Sequence, residues 1–174
     1  MSVPRVTVIA IGSSFADDRA GWDVAEILST SSVIAAYGER VAVAVCRSPA
    51  SELMGLLANT DIAIVVDAVR FCGAPGTVYR LADNYSSLSD MTFLSSHGMD
   101  IQTMLVLADT LESSPEVVIV YGIESRSDSE ADSTPSTELR RAIVRVAEDI
   151  QRDVASYCAM DKFQGLDTKG PLMH

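Results

Sequence analysis

The chain predicts an α/β fold: a three-layer αβα sandwich built on a mostly parallel, twisted sheet of about five strands. Three observations lead there. Short continuous apolar runs rich in β-branched residues recur, as in strands covered on both faces. These runs alternate with stretches of helical periodicity, the pattern of a layered α/β domain. Finally, 174 residues with 48% apolar side chains suit one domain, spanning 1–174, that buries roughly 70% of its unfolded surface.

"RVTVIAIG" (5–12) reads as the first strand. A helix is expected from Gly21 to about Tyr37, with Val24, Ile27, Leu28, Ile34 and Ala35 on its buried side and Gly38 closing it. "VAVAVC" (41–46) is the second strand, and "PASELMGLLAN" (49–59) a short helix opened by Ser48 and Pro49. "DIAIVVDAV" (61–69) is a third strand, with one acid, Asp67, near its carboxyl end. "TVYRLA" (77–82) is a weaker strand entered through the Pro75-Gly76 turn. A Ser-rich polar stretch (83–96) leads to a helix expected over 99–111, followed by the strand "EVVIVYGIE" (116–124). Residues 125–136 read as a surface loop, being poor in apolar side chains. Ser136 or Thr137 then caps a long helix whose stripe is Leu139, Ile143, Val146, Ile150, Val154 and Tyr157. The tail after about Met160 is rich in turn formers and is expected to be peripheral.

A net charge of −11 argues against nucleic acid or an anionic membrane as partner, since both require a basic face. No run approaches the ~20 apolar residues of a membrane span. Cys46, Cys72 and Cys158 form neither a CxxC pair nor an even set, so no zinc knuckle or disulfide framework is indicated and a cytoplasmic protein is expected. HExxH, GxSxG, GxxxxGK[ST] and GxGxxG are all missing.

The chemistry-bearing residues fall at strand ends, where open α/β sheets bind ligands. Asp17 and Asp18 follow the first strand, in the place where such proteins often hold a phosphate; two carboxylates would repel one. They either serve the positive end of a helix or hold a cation. Asp67 ends the third strand, and His97, apart from His174 the sole histidine, precedes a helix. Asp18, Asp67 and His97 together make an O,O,N set that leaves metal positions open to a substrate. Each alone has a plainer reading, as helix-start charge, turn residue or solvated histidine.

The ordered blocks "IGSSFADDRAG", "IVVDAVRFCGAPGTVYRL", "LSSHGMDIQTMLVLA", "VVIVYGIES" and "STPSTELRRAIVRVAEDI" resemble the hydrogenase maturation proteases, over about residues 5–155. That family trims the C-terminus of the large subunit of nickel–iron hydrogenases. The resemblance implies that its two metal-binding carboxylates fall on Asp18 and Asp67 and its histidine on His97. It answers the question of the paired acids in favour of a cation. Ser13 stands where the family has Asn and Arg19 where it has Gly, in a loop one residue shorter. Arg19 is placed to pair with Asp17 or a substrate carboxylate, or to narrow the cleft.

What the resemblance implies is an endopeptidase acting through Asp18, Asp67 and His97 on nickel supplied by its substrate, the large-subunit precursor. Another divalent metal is expected to occupy the site in isolation, and the protein is expected to be monomeric. Two rival readings use the same fold: a non-cleaving module that checks the nickel-loaded precursor, and a nucleoside-phosphorylase-like enzyme. The acids and the missing basic anion pocket disfavour the latter.

Overall fold

The structure, a computed structural model, describes residues 5–13, 16–58, 60–70, 73–82, 103, 110, 115–125 and 135–164. Five strands form one sheet: β1 (Val6–Ile11), β2 (Val41–Cys46), β3 (Ile62–Val69), β4 (Val78–Ala82) and β5 (Val117–Glu124). Their order is β2-β1-β3-β5-β4; all neighbours are parallel except β4, which runs antiparallel to β5. All eight residues of β3 are buried, as a strand that is apolar but for Asp67 requires at the centre of a sheet covered on both faces.

Among the described residues, four helices with both ends defined accompany the sheet: α1 (Ala20–Ser29), α2 (Ser32–Ala35), α3 (Pro49–Leu57) and α4 (Thr137–Gln164). Val24 and Leu28 of α1 pack with Leu139, Val146, Ile150 and Val154 of α4 against Val8, Ile64, Val66 and Ile119. Leu53 and Leu57 of α3 cover the opposite face, against Ile9, Ile11, Val65 and Val120. Each fully buried Leu or Val contributes about 1.5–3 kcal/mol relative to exposure. The three expected layers are therefore present among the described residues.

Several boundaries differ from expectation. The helix foreseen over 21–37 breaks at Thr30-Ser31: the Ser31 hydroxyl accepts from the Ile34 amide (3.4 Å) and donates to Gln151 (2.7 Å), and α2 starts afresh. The break leaves Ala35 exposed instead of buried. Gly38 does supply the left-handed turn, at φ 57°. The last helix runs to Gln164, past the point where the tail was expected to leave it. Ser136 caps it, its hydroxyl accepting from the Leu139 amide at 3.2 Å. Of the helix expected over 99–111, Thr103 and Thr110 are described, both helical. The rest of that helix, the polar stretch 83–96, most of the 125–136 loop, Cys72 and residues 165–174 lie outside the described residues.

Candidate functional site at the carboxyl edge of the sheet

β1 leads through α1 to β2 on one side, whereas β3 lies on its other side, so the chain reverses its winding direction between β1 and β3. Such a switch point opens a crevice beyond the carboxyl ends of the two strands. Asp18 and Asp67 flank it.

Asp18 sits in a 3-10 turn, Ala16–Arg19, tied back to β1 by a hydrogen bond from the Ser13 amide to its carbonyl (3.2 Å). Two glycines set this turn against the sheet. A Cβ on Gly21 would lie 2.1 Å from the Ile11 carbonyl oxygen and 2.9 Å from that of Val66, so only glycine lets α1 start on top of the switch point. A Cβ on Gly12 would meet the Trp22 indole at 2.7 Å. The Trp22 ring closes that side, with the Arg47 guanidinium 5.6 Å from its centre. The side chain of Asp17 lies outside the described residues.

Asp67 is fully buried, and its Oδ1 accepts the Ala68 amide at 2.8 Å. Strand alternation puts it on the α3 side, between Val65 and Val69. Cys46, at the end of β2, faces the same side. Its thiol is pushed up to about 11, first by burial, then by the negative charges of Glu52 and Asp67. A thiol so raised is neutral near pH 7 and is no nucleophile there.

Both acids thus stand at the predicted edge. His97 lies outside the described residues. Among the described residues no three acidic, histidine or cysteine side chains assemble as a metal site. Arg19 does not narrow the crevice. It folds back along α1, donating to Asp23 at 2.7 Å and lying 3.5 Å from Glu26.

Two residues at this edge went unremarked in the sequence. Arg70, just past β3, brings its guanidinium to 3.4 Å from Asp18 Oδ1, bridging the switch point. Nothing in the spacing announces a pair 52 residues apart. Glu124 ends β5 and is buried. Asp67 aligns with Gly122, so Glu124 occupies the same face two positions further on, roughly 8 Å from Asp67 between Cα atoms. A Cβ on Gly73 would fall 2.3 Å from the Tyr79 hydroxyl and 3.3 Å from Glu124 Oε2; the loop after β3 presses onto both because position 73 is glycine. The acid directly after "VVIVYGI" gives no sign of this in the sequence, because a strand end is ordinarily solvated.

The same fold recurs in solved proteins. HybD, a hydrogenase maturating endopeptidase from E. coli, superposes with a TM-score of 0.70 at 19% identity, covering 87% of this chain and 93% of that one. A hydrogenase 2 maturation peptidase from a Thaumarchaeota archaeon gives 0.61 at 21% identity over 86% and 97%. HybD from Thermococcus kodakarensis, a [NiFe] hydrogenase maturation protease, gives 0.60 at 19% over 85% and 97%. At these identities the likeness is one of fold. No individually curated protein matches the sequence significantly. The sequence model of the HycI hydrogenase maturation proteases matches residues 47–153, more than half of the chain, a span that includes Asp67 and His97. On that match, with the fold in agreement, the chain belongs to the hydrogenase maturation protease family.

Proposed function

We propose that this protein is an endopeptidase that removes the C-terminal extension of a nickel–iron hydrogenase large-subunit precursor in the cytoplasm, and that the nickel it needs arrives with the precursor. The observation that carries the reading is the placing of two carboxylates, Asp18 and Asp67, on either side of the switch point in a chain of this family. They play different parts. Asp67, buried and held by the Ala68 amide, is a fixed donor at the floor of the crevice. Asp18, on a partly exposed turn, is the donor that an arriving cation meets first. His97 is assigned as the third donor. Hard carboxylates with one imidazole suit a borderline cation whose softer ligands come from elsewhere. Such a cation supplies Lewis acidity for the scissile carbonyl or a bound water of lowered pKa. Neither Cys46 nor Glu124 is needed as a nucleophile.

The test is co-expression with a precursor, with and without nickel supply, read by the mass of the large subunit. Trimming is expected only with nickel, and is expected to be lost in Asp18→Asn, Asp67→Asn and His97→Ala. Equal trimming of nickel-free precursor would reject nickel dependence. A precursor that is bound but never cut would assign the chain to the non-cleaving checkpoint.

A further inference from the structure

We propose that Arg70 is a built-in competitor for the cation at Asp18: it neutralises that carboxylate in the free protein and yields it only to a metal brought by a docked precursor. The inference rests on the metal reading of Asp18 given above. Arg70 stands three residues beyond Asp67, at the foot of the crevice, and its Nη2 lies 3.4 Å from Asp18 Oδ1. The acid is the better shielded partner, with 21% of its side chain exposed against 46% for the arginine. A carboxylate oxygen that receives a guanidinium N–H has less to offer a cation. A guanidinium that stays within ~5 Å of a divalent ion also repels it, by roughly tenfold in affinity once solvent and salt screening are allowed for. Arg70 is exposed enough to swing away, so the barrier is an exchange of partners and not a closed door. A metal already part-neutralised by a precursor's anionic ligands meets less of this repulsion than a free hydrated ion does. The site is thereby biased against loose divalent cations and toward a cation that comes inside its substrate.

Arg19 supplies an internal control. It is adjacent to Asp18 in sequence and carries the same charge, but it is committed to Asp23 and Glu26. A general loss of positive charge and the loss of a specific competitor are therefore separable.

The experiment is calorimetric titration of the metal-free protein with Mn²⁺, which favours oxygen donors, and then with Ni²⁺, at low salt. Arg70→Gln is expected to tighten the dissociation constant by about tenfold relative to the parent. Arg19→Gln is expected to stay within about twofold of the parent, and Arg70→Gln combined with Asp18→Asn to lose the gain. The proposal is overturned if Arg70→Gln binds no better than the parent, including the case in which neither binds, if Arg19→Gln gains as much, or if the gain survives without Asp18. Precursor trimming by Asp18→Asn separates the two levels. Lost trimming with unchanged metal affinity in Arg70→Gln keeps the metal reading and removes the competitor. Retained trimming removes the metal reading and the competitor with it.

Discussion

Asp18 and Asp67 differ in burial, and burial decides what replacing each does to the fold. Asp18 pairs with Arg70 across partly exposed surface, a contact worth at most about 1 kcal/mol. Asp18→Asn is therefore expected to shift the thermal midpoint by no more than a few degrees, measured by circular dichroism. Asp67→Ala leaves the Ala68 amide without its acceptor inside the sheet and is expected to cost about 1–3 kcal/mol in urea unfolding. Tyr121 makes a second test at this scale. Its hydroxyl donates to Asp153 (2.6 Å) and accepts from Arg80 Nε (3.0 Å), linking β5 and the edge strand β4 to α4. Burial, and after it the Asp153 carboxylate, holds this phenol above its ordinary value, with Arg80 pulling the other way. The folded phenol keeps its proton at a pH where the unfolded one has lost it. Its contribution to stability is full below about pH 10 and is lost as pH climbs toward the folded value. Urea midpoints compared between pH 9 and pH 11 are expected to fall less in Tyr121→Phe than in the parent. Cys46 has the same sign, from lower pH, and is shared by both proteins.

At the scale of elements, two glycines separate close packing from backbone conformation. Gly21→Ala forces the start of α1 off the Ile11 and Val66 carbonyls and is expected to cost about 3 kcal/mol or more, or to yield insoluble protein. Gly38→Ala meets no neighbour within 4 Å among the described residues, but its φ of +57° is left-handed, so about 1–2 kcal/mol is expected. Chemical denaturation of both variants orders the two effects. These elements also show what a sequence can disclose. The five strands were legible because continuous β-branched runs have few other places to go than a two-sided sheet. The stripe of α4 was legible because its spacing repeats for five turns. The break at Thr30-Ser31 was not, because it depends on the Ser31 bond to Gln151 of a distant helix. The same division holds at the site. Asp67 stood out as an acid interrupting an apolar run, and Asp18 as half of a pair at a glycine turn. The contact of Arg70 with Asp18 exists only once β1 and β3 are neighbours, and Glu124 looked like any solvated strand end. Asp18 beside Arg70 in place of Arg19 is a matter of rotamers, beyond the reach of spacing.

For the whole molecule, charge and topology act together. Among the described residues no helix is long and apolar enough to cross a membrane, and a net charge of −11 sets up repulsion between copies of the chain. The sheet nevertheless ends, on one side, in β2, whose six residues VAVAVC carry no charge and whose Val45 is 40% exposed. Most natural edge strands carry a lysine, a proline or a bulge that discourages a second chain from adding to the ladder. Nothing in this strand does that work, so the expected guard against pairing is mutual repulsion between acidic chains. Salt removes such a guard, since the screening length falls from about 10 Å at 0.1 M to about 3 Å at 1 M. Light scattering is accordingly expected to report monomers in dilute buffer and growing strand-paired assemblies near molar salt, with Val45→Lys restoring monomers there; an unchanged mass at high salt would show that the β2 edge needs no guard. If mass grows with salt in this way, ionic strength is the variable that governs how the protein is handled.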